Sequence, residues 1–189
     1  MKRIVIFASG SGSNAQRIAE YFSNTDTARV IRIYSNRKDA YVLERAKSLQ
    51  IPTVVFGREE FYDSDIILRQ LESLNPDLIV LAGFLWKIPE NIIHAFPQKI
   101  INIHPALLPK YGGKGMYGEH VHCAVIKNRE TESGITIHFV NEQYDEGAII
   151  KQARCQVDSS DTPDTLAQKI HALEHKYFPE TIEQILMKC

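Results

Sequence analysis

Cysteine is scarce and scattered in this chain: Cys123, Cys155 and Cys189 are odd in number and far apart. No C-x-x-C pair occurs among them, so neither a disulfide framework nor a zinc knuckle is indicated, and a cysteine nucleophile has no support. A reducing, cytoplasmic setting fits that usage. Long apolar runs are missing too. After Met1-Lys2-Arg3 the apolar stretch 4–8 gives way to Ser9-Gly10-Ser11, which is too short for a signal peptide, and no run approaches the roughly 20 residues that cross a bilayer. Charge of either sign is not in excess: 22 Lys+Arg stand against 23 Asp+Glu, a net charge of −1. Such a chain has no bulk attraction for nucleic acid or an anionic membrane. No repeat, low-complexity tract or linker divides it. What is present is ordinary globular composition, 44% apolar and 24% charged over 189 residues, enough for one domain with a sizeable core.

Apolar runs that do not alternate recur along the first half, at 4–8, 30–34, 52–56, 78–82 and 100–103, and helical patterns separate them. Buried parallel strands read this way. The expected fold is therefore α/β, a Rossmann-like, mostly parallel twisted sheet with helices on both faces. Helices are expected from about Ala15, with Asn14 as N-cap, from Asp39 to about Leu49, within 61–74, and from Pro89 to about Phe96. After residue 103 the pattern changes. A glycine-rich loop spans 104–118, a helix 119–127, and residues 135–140 alternate as a half-exposed strand does. Residues 148–157 return as its antiparallel partner, closing a C-terminal hairpin. A terminal helix starts at Thr162-Pro163-Asp164, carries the stripe Leu166, Ile170 and Leu173, and is kinked or interrupted by Pro179.

Chemistry concentrates in three places. At the end of the fifth strand, Asn102 and His104 are two residues apart, so they point to one side of an extended chain. Pro105 and Pro109 stop the strand and stiffen the segment beyond it. An amide and an imidazole can stabilise the oxyanion of an acyl transfer to an amine, and a carboxylate such as Asp145 would hold the imidazole charged and share in proton transfer. Asp145 lies in a separate loop, where Asp145-Glu146-Gly147 also reads as a plain turn. The second place is Ser9-Gly10-Ser11-Gly12-Ser13-Asn14, a turn from strand to helix whose N–H groups and helix dipole suit a phosphate or carboxylate. It lacks the lysine of a P-loop but fits G-x-G-x-x-A, so an NADP site competes with a phosphate cradle. The third is the run 81–88, where the only tryptophan, Trp86, could wall a flat heteroaromatic ligand. Gly112-Gly113-Lys114-Gly115 reads as a mobile lid. His120 with His122, and His171 with His175, lack a third metal ligand or the intervening Glu of a zinc motif, so solvated or packing roles are expected for both pairs.

Together these residues resemble the glycinamide ribonucleotide formyltransferase family, folate-dependent enzymes of purine synthesis. The resemblance runs from Lys2 to about Pro179. It rests on residues 9–14, Ser35-Asn36-Arg37, Leu81-Ala82-Gly83-Phe84, Asn102-Ile103-His104-Pro105-Ala106-Leu107-Leu108-Pro109, His138-Phe139-Val140 and Asp145-Glu146-Gly147. It implies a single formyltransferase domain over 1–189, with a phosphate-binding part to residue 103 and the lid, hairpin and terminal helix beyond. It implies formyl transfer, without metal, from 10-formyltetrahydrofolate to the amine of 5-phosphoribosylglycinamide in de novo purine biosynthesis. By position, Asn102, protonated His104 and Asp145 would be catalytic. Gly12, Ser13, Asn14 and Glu174 would hold the ribonucleotide. Arg58, Leu85, Trp86, Lys87, Ile88 and Asn102 would contact folate. Small molecules would be the partners, with the chain a monomer or homodimer. Leu85-Trp86 replaces a frequent Met-Arg, and residues 112–118 depart from the family's usual lid. Within the superfamily, a formyltetrahydrofolate hydrolase is the alternative. Methionyl-tRNA formyltransferase would need an RNA-binding domain, against which chain length and charge both speak.

Overall fold

A strand with no polar side must be covered on both faces, and one sheet between two helix layers meets that demand. The computed structural model describes residues 1–188; Cys189 lies outside the described residues. The elements are β1 (Lys2–Phe7), α1 (Ser13–Ser23), β2 (Ala28–Ser35), α2 (Val42–Ser48), β3 (Thr53–Val55), α3 (Ile66–Leu74), β4 (Leu78–Leu81), α4 (Glu90–Ala95), β5 (Ile100–His104), α5 (Glu119–Lys127), β6 (Glu132–Phe139), β7 (Ile149–Gln156) and α6 (Pro163–Lys188). The sheet order is β3-β2-β1-β4-β5-β6-β7. Strands β1 to β5 pair in parallel, and β6 is antiparallel to both β5 and β7. The expected α/β architecture and C-terminal hairpin are both present.

Period-two alternation sends Ile4, Ile6, Leu78, Val80, Ile101 and Ile103 to one face, under α1, α5 and α6. Val5, Phe7, Ile79, Leu81 and Ile100 go to the other, under α3 and α4. That second core is rich in aromatics. Phe7 stacks on Tyr34 with ring centroids 4.8 Å apart; Phe56, Phe61 and Phe84 pack around Phe7, and Trp86 lies beyond them against Phe56 and Phe61. Because β1 and β4 are neighbours, the chain leaves them in opposite directions, toward β2 and β5. Such a switch point opens a crevice at the carboxyl ends of the strands. Here the two diverging loops are stitched at their base, with Ser9 N–H donating to the Gly83 carbonyl at 3.0 Å and Leu85 N–H to Ser9 Oγ at 3.0 Å. No described helix is long and apolar enough to cross a membrane.

Four local expectations are corrected. Asn14 does not cap α1; Gly12 occupies that position in a left-handed conformation (φ 72°), and Asn14 lies in the first turn. Asp39 does not begin α2, which starts at Val42; its carboxylate is taken by the Arg37 guanidinium at 3.2 and 3.0 Å. Strand β6 is not half-exposed. Residues 133–138 are all buried, because β7 covers the outer edge and the chain after β5 folds back over them, Thr136 Oγ1 donating to the Ala106 carbonyl at 2.7 Å. Finally, α6 is not interrupted at Pro179, which lies inside it. A proline leaves the carbonyl four residues back without its N–H; that carbonyl, of His175, accepts instead from Arg17 Nε of α1 at 3.2 Å.

Gly147 brings the chain from the Asp145 turn back into β7, so close to Phe139 that a Cβ there would overlap the Phe139 carbonyl. Gly147→Ala should destabilise the fold by about 1–3 kcal/mol, the usual range for overpacking, and lower the melting temperature by several degrees. Thermal unfolding monitored by circular dichroism checks this.

Candidate active site

Parallel pairing sets the loops after β1, β4 and β5 side by side, and the last residues of β5 stand at the mouth of the crevice. Asn102 lies opposite Leu81 of β4 on one side and His138 of β6 on the other; His104 lies opposite Thr136. The two-residue spacing therefore does turn Asn102 and His104 the same way. A cleft of about 630 Å³ opens there, lined by Gly12, Ser13 and Asn14 after β1, by 81–88 after β4, by Asn102 and His104, and by Asp145. That volume lies within the roughly 300–1,000 Å³ of small-molecule sites.

Asp145 reaches the pair from the loop between β6 and β7. Its Oδ2 is 3.6 Å from His104 Nδ1 and its Oδ1 is 3.6 Å from His138 Nε2. The Gly113 N–H donates to Oδ2 at 2.9 Å. Only 12% of the Asp145 side chain is exposed, and 4% and 3% of the two imidazoles. Both rings are oriented by main-chain carbonyls. His104 Nε2 donates to the Tyr111 carbonyl at 2.7 Å, and His138 Nδ1 donates to its neighbour Phe139 at 2.8 Å. The Asn102 amide nitrogen lies 3.2 Å from His138 Nε2, the same ring nitrogen that faces Asp145. Burial pushes the His104 imidazole below its ordinary value; the Asp145 charge opposes this without overcoming it. Burial also disfavours the Asp145 carboxylate, but the His138 hydrogen bond, the facing His104 and the Gly113 N–H outweigh it, and its pKa is lowered. Both ring nitrogens of His104 thus face acceptors, the Tyr111 carbonyl and the Asp145 carboxylate, while burial opposes the charge that this placement would suit.

The loop 9–14 forms the cradle. Gly12 must be glycine, since its φ is left-handed and a Cβ would run into Val42. Its turn frees the first N–H groups of α1 to face a ligand. Asn14 Nδ2 donates to Glu174 Oε2 at 2.8 Å, while Asn14 Oδ1 is buried without a partner. Glu174 is 7% exposed, and burial raises its carboxyl pKa against the pull of the Asn14 bond and His171. Leu85, Trp86, Lys87 and Ile88 line the cleft as expected. Arg58 does not; it is exposed and stacks outside, its guanidinium 5.2 Å from the Trp86 ring centre and 5.8 Å from that of Tyr62.

Two histidines expected only to pack or to meet solvent also line the cleft. His122 is 5% exposed, faces the cleft from α5 and has a buried Nδ1 without a partner; His171 lines the same cleft from α6. Among the described residues no group of three or more His, Cys, Asp or Glu side chains is arranged to hold a metal ion.

Residues 2–182 match the family described as formyl transferase. The chain is 36% identical to phosphoribosylglycinamide formyltransferase of Bacillus subtilis, over 98% of this chain and 95% of that one. It is 41% identical to the chloroplastic enzyme of Arabidopsis thaliana, over 97% of this chain and 65% of that protein, so it spans just under two thirds of that longer relative. The structure of glycinamide ribonucleotide transformylase 1 from Symbiobacterium toebii superposes with a TM-score of 0.91 at 34% identity, covering 100% of this chain and 89% of that one. The chain belongs to the formyl transferase family, among the phosphoribosylglycinamide formyltransferases.

Proposed function

We propose that the chain moves the formyl group of 10-formyltetrahydrofolate to the amine of 5-phosphoribosylglycinamide, with Asn102, His104 and Asp145 as its catalytic residues. The observation that carries this is the meeting of Asp145 and His104 across 41 positions of sequence, 3.6 Å apart in a cleft shared with an anion cradle. The cleft suits both substrates. Gly12, Ser13 and Asn14 would take the phosphate, and Glu174 the ribonucleotide beside it. The wall Leu85 to Ile88 would take the pterin ring of the folate, whose N10, outside that ring, carries the formyl group. Arg58, outside the wall, would meet the folate tail rather than its ring. The cysteine usage fits a cytoplasmic enzyme.

The residues divide the work by their protonation. With Nε2–H committed to the Tyr111 carbonyl, a neutral His104 carries its lone pair on Nδ1, on the Asp145 side. His104 is therefore the acceptor for the proton that the attacking amine must lose. As it gains that proton, the imidazolium is stabilised by Asp145, and the positive charge arises when the formyl oxygen becomes negative. The Asn102 amide donates to that oxygen, and the imidazolium beside it adds its charge. When the intermediate collapses, the bond from the formyl carbon to N10 breaks and the proton passes to the leaving folate nitrogen. A charge that appears only as the reaction proceeds favours the transition state over the bound substrate.

Formyl transfer should be measured with and without phosphoribosylglycinamide. Transfer that requires the amine supports this reading; formate release at the same rate without it would make the chain a hydrolase, and tight NADPH binding with no ribonucleotide binding would make it a dinucleotide module. His104→Ala should cut turnover by about 10²–10⁴-fold, and near-normal turnover would remove His104 from the mechanism.

The pH dependence has a definite sign. A buried imidazole with a lowered pKa stays neutral until the pH falls below the ordinary value near 6.5, so the acid limb of kcat/KM should have its midpoint below 6.5. Asp145→Asn removes the charge that favours the imidazolium. The His104 midpoint, followed by NMR titration, should then move to still lower pH.

A further inference from the structure

Neither member of the catalytic pair is held by its own strand or loop alone. Both lean on one short turn. The Tyr111 carbonyl fixes Nε2 of His104 at 2.7 Å, and the Gly113 N–H fixes Oδ2 of Asp145 at 2.9 Å. Whatever holds residues 111–113 therefore sets the orientation of the imidazole toward the carboxylate. The turn is not self-supporting. Tyr111 has φ 57°, in the left-handed region that a bulky L residue occupies only where its surroundings hold it.

Those surroundings lie outside the cleft. The Tyr111 hydroxyl donates to Glu130 Oε1 at 2.8 Å and accepts from Asn128 Nδ2 at 2.9 Å. Lys110 Nζ donates to both oxygens of the same carboxylate, at 3.0 and 3.2 Å. Asn128 is the C-cap of α5, and Arg129 turns the chain through another left-handed residue (φ 52°), so that Asn128 and Glu130 flank the phenol from both sides. The apolar residues Val121 and Val125 seat α5 in the core, which makes its end a rigid anchor. The Lys110–Glu130 pair is solvent-exposed and worth little as an ion pair. Its significance is geometric: it closes the base of the glycine-rich segment 112–118.

We propose that Glu130 is a positioning residue for His104: through the Tyr111 phenol it holds the one carbonyl that keeps the ring proton on Nε2 and leaves Nδ1 to Asp145. This rests on the reading of His104 as the proton acceptor. The titratable groups facing His104 are Asp145 and His138; Glu130 meets Lys110 and Tyr111, and Lys110 also feels Glu132. Glu130 touches no cleft atom and is not itself catalytic.

The test combines Glu130→Ala, Glu130→Gln and Tyr111→Phe with a double-mutant cycle against His104→Ala. Glu130→Ala and Tyr111→Phe should each lower kcat by about tenfold, a fraction of what a 1 Å misplacement can cost, with both KM values unchanged. Glu130→Gln, which keeps an acceptor for the phenol, should stay within about twofold of wild type. In the His104→Ala background the Glu130→Ala loss should vanish, since coupled residues are not additive. In parallel, ¹⁵N NMR of the unliganded protein should show His104 protonated on Nε2 in wild type and a mixture of tautomers in Glu130→Ala. The tautomer readout needs no turnover, so failure of the formyl-transfer reading would leave it intact. The proposal is overturned if Glu130→Ala leaves kcat and the tautomer unchanged, if its loss persists without His104, if Glu130→Gln falls as far as Glu130→Ala, or if both KM values rise with a falling melting temperature, the mark of general loosening.

Discussion

The arrangement depends on one buried carboxylate. Asp145 stands between two imidazoles that are almost closed to solvent, with a main-chain N–H on one oxygen. An isolated carboxylate in that position would be costly to ionise. It remains an anion because the Gly113 N–H and the two flanking imidazoles together favour its charge. The same neighbours are thereby assigned their own states. His138 is tied to Phe139 through Nδ1, and His104 to Tyr111 through Nε2. Protonation, tautomer and ring orientation form one set, and no member can be changed without disturbing the other two.

The fold prepares this set before any ligand arrives. Parallel pairing of β1, β4 and β5 brings an anion cradle, an apolar wall and an amide–imidazole pair to one edge of the sheet, in that order. The antiparallel strands β6 and β7 then deliver what a purely parallel sheet would lack. Their connection folds over the carboxyl end of β5 and brings Asp145 to it, while β6 supplies His138 directly opposite Asn102. On the other flank α6 runs against α1 and carries Glu174 to Asn14. In α6 the buried positions Leu166, Ile170, Phe178, Ile182 and Leu186 recur at four-residue spacing with Glu174 in the series. A carboxyl in an apolar stripe is retained there by its bond to the cradle.

Much of this is legible in the sequence because it depends on period and punctuation. Non-alternating apolar runs mark the parallel strands, and Pro105 and Pro109 mark where β5 must stop. The pairing of Asn102 with His104 needs only the two-residue repeat of a strand. Contacts made across the sheet are not legible. His138 is one more polar residue in an alternating strand until the register sets it against Asn102. His122 looks like half of a failed metal pair, since nothing local shows that α5 turns it inward. Pro179 reads as a break because local chemistry supplies no donor for the His175 carbonyl; the donor comes from Arg17, 158 positions away in sequence. The charge state of His104 is not legible for a similar reason. A nearby carboxylate argues for the imidazolium, but the depth of burial that opposes it is a property of the folded chain.

The bond between Arg17 and the carbonyl left open by Pro179 has an evolutionary corollary. Because the proline creates the acceptor and the arginine occupies it, neither residue has its purpose alone. A lineage that took an ordinary residue at 179 would close the gap with its own amide and release the guanidinium from duty. Positions 17 and 179 should therefore drift as a couple among descendants of this chain, although they belong to different helices and neither one lines the cleft.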